Sequence, residues 1–222
     1  MSDENPVTAV IIHYKTPDLI RCAVASLREF YPRLPLVIID NGSNAGSAGT
    51  LAGLKAAHPD STRLILNSEN LHHGPAMDQA LRDVHSPFLL FLDSDCRVTS
   101  GGFLEQMLEI LKTHDNHYAA GKRVYMNRRG FDVPAGTAGA IPYIRPVCML
   151  LKRSLYLTLP KFQRHGTPCL RNMEQAVESG LALIDFPVER YVHHEGRGTA
   201  GRHGYSLGWR GRLNYILQKL GI

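Results

Sequence analysis

An α/β fold with a mostly parallel central sheet flanked by helices, followed by a smaller mixed second half, is what three features of the sequence predict. Apolar or β-branched runs alternate with helical patterns four times in the first hundred residues, as expected of strand-then-helix units that build a parallel sheet. Phe88-Leu89-Leu90-Phe91-Leu92 is a continuous apolar run, suited to a strand covered on both faces, and it stops abruptly at Asp93-Ser94-Asp95. After about residue 114 the alternation gives way to longer strand patterns separated by Gly/Ala/Pro-rich sequence.

Residues 7–14 read as the first strand, largely apolar and rich in β-branched side chains. Thr16 and Pro17 then open a helix that runs to about residue 30, with Thr16 as N-cap and Pro17 in the first helical position. Leu19, Ile20, Ala23, Val24 and Leu27 recur at helical spacing and form its buried stripe. Residues 35–40 form the second strand, ending on Asp40, and Asn41-Gly42-Ser43-Asn44 is a turn by composition. A short helix at about 48–57, a third strand at 63–67, a loop at 70–74 and a helix starting on Pro75 complete the third unit before the Phe88 strand.

A helix over about 102–114 leads into the second half, where residues 119–126 and 144–151 have strand patterns. The loose segment 133–142 between them is either a lid or a long loop. Residues 153–159 suit a short helix, 171–180 a longer one that Gly180 terminates, and 181–185 and 191–194 short strands. The last piece, 207–222, is a basic amphipathic helix, with Trp209, Leu213, Ile216, Leu217 and Leu220 set among cations.

Length and composition fit one globular domain, with 44% hydrophobic and 20% charged residues. The net charge of +5 is concentrated at the end: no acid follows Glu195, whereas Arg197, Arg202, Arg210, Arg212 and Lys219 do. Such a tail fits an anionic ligand, peripheral contact with the inner face of a membrane, or a solvated helix. It carries no nucleic-acid reader motif. Cys22, Cys96, Cys148 and Cys169 form no CxxC pair, and neither a leader nor a membrane-spanning stretch is apparent, so a cytoplasmic location is expected.

Parallel strands bring Tyr14, Asp40, the His72 to Gly74 loop, Asp93 and Asp95 to a common rim, where open α/β sheets bind ligands. In extended backbone the i and i+2 carboxylates of Asp93 and Asp95 can converge on one divalent cation; the same residues also fit a helix cap. Gly196-x-Gly198-x-x-Gly201 matches a dinucleotide fingerprint formally but lacks its helix and its downstream acid.

With these landmarks the chain resembles the inverting family 2 glycosyltransferases of GT-A fold. Val10 to Tyr14, Val37 to Ser43, Asn70 to Ala80 and Phe91 to Asp95 match that family's nucleotide-binding half in order and spacing. The resemblance implies a domain over 1–206, with a nucleotide-binding half at about 1–100, an acceptor half at about 101–206, and 207–222 appended. It implies hexosyl transfer from a UDP, GDP or dTDP sugar to a saccharide, lipid-linked or protein acceptor, with Mn²⁺ or Mg²⁺ as cofactor. Residue by residue, it sets Ile12 and Tyr14 against the base, Asp40 on the base or ribose, Gly74 and Asp78 beside the donor, Asp93 on the ribose or sugar and metal, and Asp95 on the metal. His73 and Arg197 would meet the phosphates, and His194, in preference to His193, would complete the metal shell. Glu174 is the expected general base, with Glu178 as rival. The chain departs from the family at Lys15 and Asp78, where asparagine is common, and at Gln175, which replaces a second acid. A catalytically inactive nucleotide-sugar binder and a sugar-nucleotide pyrophosphorylase are the alternatives; the latter needs a Gly/Lys-rich loop where the chain has His13 to Pro17.

Overall fold

The computed structural model describes residues 5–43, 45–163 and 166–195. Arg197, the glycine-rich 196–201 segment and the expected 207–222 helix lie outside the described residues.

The first half runs β1 (Val7–His13), α1 (Pro17–Phe30), β2 (Leu36–Asn41), α2 (Ala45–Ala57), β3 (Thr62–Asn67), α3 (His73–Asp83) and β4 (Phe88–Leu92). The second continues with β5 (Cys96–Val98), α4 (Phe103–Thr113), β6 (His117–Met126), β7 (Ile141–Lys152), α5 (Arg153–Tyr156), α6 (Leu170–Glu178), β8 (Ala182–Asp185) and β9 (Val192–His194). Seven strands form the main sheet in the order β3-β2-β1-β4-β7-β6-β8. β1 to β4 are parallel; β7 runs antiparallel to both β4 and β6, and β8 is parallel to β6. The carboxyl ends of β1 to β4 therefore share one edge.

Alternation along the strands builds two cores. Ile11, Ile38 and Leu90 face α1 and α4, packing on Ile20, Leu27, Phe103 and Met107. Val10, Ile39 and Phe91 face α3 and α6, packing on Met77, Ala80, Met173 and Ala176. Each of the larger side chains taken out of water contributes about 1.5–3 kcal/mol, so a one-residue slip of register would empty both cores.

Three local expectations change. Thr16 precedes α1 but makes no capping bond; its hydroxyl lies 3.4 Å from His13 Nδ1 instead. β2 extends one residue further than composition indicates, because Asn41 pairs with Asn67 in the parallel register. The second sheet, β5 with β9, joins two three-residue strands too short to carry a periodic signal. At the end of α6, Gly180 does adopt a left-handed φ of +79°, one residue beyond the cap at Ser179.

Candidate functional site

β4 ends at Leu92, and the chain then turns sharply. The Asp93 amide donates to the Val147 carbonyl at 2.9 Å, and the Cys96 amide to the Asp93 carbonyl at 3.1 Å. The turn leads directly into β5, whose Cys96 lies in register with His194 of β9, and the Glu195 amide closes on the Asp95 carbonyl at 3.1 Å. This pairing brings His194 Nε2 to 3.2 Å from Asp95 Oδ1. His193 registers with Arg97. Ligand atoms of Asp93, Asp95 and His194 all lie within 4.8 Å of one another, so the group can hold a metal ion.

The electrostatics of the three residues fit a cation. Burial at the bottom of the cleft raises the Asp93 pKa, the nearby charge of Asp95 raises it further, and His73 and His194 oppose both; a quarter of the side chain stays open to solvent. The hydrogen bond that His194 donates to Asp95 raises the His194 pKa against its own desolvation. Two carboxylates that crowd each other beside an imidazole are a donor set for Mn²⁺-like ions. His73 Nε2 stands 3.6 Å from Asp93 Oδ1, beyond hydrogen-bond range.

A cavity of about 310 Å³ opens over this cluster along the sheet edge. Ile12, Tyr14, Asn41 and Asn70 line it on the β1/β2 side, His73, Asp93 and Asp95 in the middle, and Met126, Tyr143, Arg145, Gly166 and Pro168 on the β6/β7 side. Tyr14 is followed by Lys15 at φ +58°, a left-handed backbone position that asparagine tolerates better than lysine. The Lys15 amide donates to Ser43 Oγ at 2.8 Å, and its ammonium lies 4.9 Å from the Tyr14 ring centre. Hydrogen bonding with Lys15, and then with Asn70, lowers the Tyr14 pKa despite a smaller desolvation effect.

The structure does not bring every expected residue to this wall. Asp40 alternates away from it: its carboxylate is buried on the α1/α2 side of the sheet next to His13, and Oδ1 has no hydrogen-bond partner. Asn41, which follows it, is on the wall instead. Its Nδ2 donates to Asn70 Oδ1 at 3.0 Å and to the His72 carbonyl at 3.3 Å, while Oδ1 accepts from Asn67 Nδ2 at 3.3 Å and from the Leu71 amide at 3.1 Å. All its polar capacity is spent on tying the 70–72 loop to β2 and β3. The turn after it is equally tight: a Cβ on Gly42, at φ +78°, would lie 2.4 Å from the Glu69 backbone.

Gly74 is buried in the first turn of α3, off the wall. Asp78 faces α5, accepting from Tyr156 Oη at 2.6 Å and Arg82 Nε at 3.0 Å. Glu174 is the fifth residue of α6, beyond its first turn, and Arg128 Nε donates to it at 3.2 Å. Among the described residues the only carboxylates on the wall are Asp93 and Asp95. Asn41, Asn70, Tyr143 and Arg145 were not anticipated from the sequence; continuing the Val37/Ile39 alternation by one step would have found Asn41.

The sequence matches the family described as Glycosyl transferase family 2 over residues 8–174. No curated protein sequence matches significantly. Among solved structures, the mannosyltransferase PcManGT from Pyrobaculum calidifontis, in complex with GDP-Man and Mn²⁺, aligns with a TM-score of 0.65 at 19% identity, covering 84% of this chain and 56% of that one. GalNAc-T7 with UDP, GalNAc and Mn²⁺ gives 0.71 at 12% identity, covering 87% and 44%. S. aureus TarS, residues 1–349, gives 0.61 at 14% identity, covering 85% and 60%. The chain spans about half the length of these structures, and at such identities the likeness establishes the GT-A fold alone.

Proposed function

Because the chain belongs to glycosyl transferase family 2, we propose that it is a metal-dependent, inverting enzyme that moves a hexosyl group from a nucleotide-sugar donor to an acceptor hydroxyl. The observation that carries this reading is the convergence of Asp93, Asp95 and His194 within 4.8 Å at the edge of a cavity large enough to take a ligand. The GDP-Man and the UDP with Mn²⁺ in the two structural relatives support a nucleotide-sugar donor, which we propose to be of UDP, GDP or dTDP type.

Ile12, Tyr14 and Asn70 hold the base on the β1/β2 side, and His73 approaches the phosphates. Asp93, Asp95 and His194 would hold Mn²⁺ or Mg²⁺, a hard cation that neutralises charge developing on the departing diphosphate. The acceptor oxygen bonds to the anomeric carbon as the bond from that carbon to the diphosphate oxygen breaks. The bonding pair leaves on the diphosphate, and the hydroxyl proton passes to a general base. Glu174 is proposed as that base, since the approach to α6, Gly166 and Pro168, already borders the cavity.

A second reading, a nucleotide-sugar binder that performs no transfer, draws on the Arg128 ion pair that occupies Glu174 and on the absence of an acid at Gln175. Thermal shift with UDP, GDP, dTDP and CDP, each with and without Mn²⁺, tests the main proposal, because a ligand that binds only the folded state raises its melting temperature. One nucleotide should stabilise the protein in a Mn²⁺-dependent way; stabilisation by none of them rejects the reading. Glu174→Gln should keep that stabilisation and lose donor turnover, whereas undiminished turnover moves the base elsewhere.

A further inference from the structure

One cation stands on the cavity wall, and the protein holds it lightly. β7 runs antiparallel to β4, so the part of β7 before Cys148, the partner of Leu92, extends past the end of β4 and over the turn that carries Asp93 and Asp95. The Val147 carbonyl accepts from the Asp93 amide at 2.9 Å, and Arg145, two residues further out along β7, lines the cavity with it. At about 3.3 Å per strand residue, the Arg145 backbone stands roughly 7 Å from the residue bonded to Asp93, a distance an arginine side chain can cross. Among the described residues of the wall it is the only lysine or arginine. Its charge is felt at the carboxylates' partner: the hydrogen bond to Asp95 dominates the raised pKa of His194, and Arg145 pulls the other way.

Little of this guanidinium is used within the protein. Among the described residues its one hydrogen-bond partner is Asp132 Oδ2, which engages a single nitrogen and leaves the other N–H groups of the fork to solvent or ligand. The Arg145 side chain is two-thirds buried against the wall, whereas that of Asp132 is half exposed, so water can replace the guanidinium on the acid at small cost. Asp132 also has its own hold on the sheet. It bridges to Met126, and the amide that follows it, of Val133, donates to the Tyr125 carbonyl at 2.9 Å. The ion pair can therefore open while the backbone on both sides stays in place.

Charge balance indicates what draws the guanidinium away. Asp93 and Asp95 together offset a divalent cation, so the occupied cluster carries no net charge to spare. The diphosphate of a nucleotide sugar brings close to two negative charges and gains another as its bond to the anomeric carbon breaks. We propose that Arg145 is a catalytic residue: on donor entry its guanidinium leaves Asp132 and binds the diphosphate alongside the metal, stabilising the charge that grows there. It transfers no proton and stays charged throughout. This rests on the glycosyltransferase reading, to which it adds a second cation for the leaving group and an acid, Asp132, that holds that cation in reserve.

Calorimetry on the full chain with Mn²⁺ compares whichever of UDP, GDP, dTDP and CDP stabilises it with the matching nucleoside monophosphate. Arg145→Gln should weaken the diphosphate about ten-fold or more and the monophosphate by less than about three-fold, and Arg145→Lys should recover part of the loss. Asp132→Asn, which frees the guanidinium, should tighten the diphosphate about two- to five-fold, and should have no effect in the Arg145→Gln background. Both single variants should melt within about 3 °C of wild type. If Arg145 merely fastened the 127–140 segment, Asp132→Asn would harm binding as Arg145→Gln does. Weaker binding in Asp132→Asn, wild-type diphosphate affinity in Arg145→Gln, or an equal loss on the monophosphate overturns the proposal. Inorganic pyrophosphate with Mg²⁺ separates it from the reading beneath it. Should no nucleotide bind the wild type, the glycosyltransferase reading fails, while pyrophosphate binding that Arg145→Gln loses still upholds an anion site at Arg145; equal pyrophosphate binding, or none, ends that too.

Discussion

The cavity joins two sides that differ in how their polar groups are spent. On the β1/β2 side, Asn41 uses both amide hydrogens and both lone pairs of its oxygen within the protein, and Asn67 continues the network to Gln79 of α3. On the β6/β7 side the charged group of the wall, Arg145, is held by a single ion pair to Asp132, whose side chain is half exposed. The first side is rigid before anything binds, so a ligand there meets a prepaid geometry. The second is tied by one exposed ion pair, which holds its guanidinium only weakly.

The severest way to break the contrast is to remove the cluster that separates the two sides. Asp95→Ala should abolish Mn²⁺-dependent stabilisation by nucleotide, with a loss of affinity on the order of 100-fold or more, while the apo melting temperature stays near wild type. Metal-independent nucleotide binding of undiminished strength in this variant would divorce the carboxylate from the donor.

Stability measurements sharpen the comparison. Asn41→Ala removes a buried side chain that makes four hydrogen bonds to half-buried and exposed groups and should cost about 1–2 kcal/mol in urea unfolding. Tyr143→Phe removes one buried hydroxyl that lies beside the Cys169 amide and thiol and should cost about 1 kcal/mol or less. Were Tyr143→Phe as damaging as Asn41→Ala, the contrast would fail.

The smallest effect is a pH dependence behind the β1/β2 side. Burial lowers the His13 pKa below 6.5, against a smaller opposing pull from Asp40. The unfolded chain therefore takes up this proton more readily than the folded one, and stability present above pH 6.5 is lost as pH falls toward the folded-state value. Between about pH 7.5 and pH 5.5 the melting temperature of wild type should drop by more than that of His13→Asn. Parallel slopes for the two proteins would show that His13 titrates alike in both states.

Much of the fold was legible because its signals are local. The apolar run Phe88–Leu92 ends where β4 ends, and Asp93 and Asp95 stand at the rim beyond it. The first helix starts on Pro17 and the α6 helix stops before Gly180, each where backbone chemistry requires it. What the sequence left undecided is local as well. Asp40 attracted a binding role because it is charged and close to a turn, yet one further strand residue sets Asp40 on one face and Asn41 on the other. Asp78 and Glu174 are helix acids whose neighbours in the chain give no sign of Tyr156 or Arg128, the partners that engage them.

The sequence alone determined most strands and helices of the main sheet and its cover, which face of each is apolar, and that two carboxylates follow the central strand. Those properties follow from side-chain period and backbone preference within a few residues. Tertiary structure decided that His194 meets Asp95, that Asn41 is spent on a loop thirty residues away, and that Arg128 engages Glu174. Each of these depends on the register between segments distant in the chain, and register is fixed by the packing of the whole sheet and its two cores, which no short window of sequence contains.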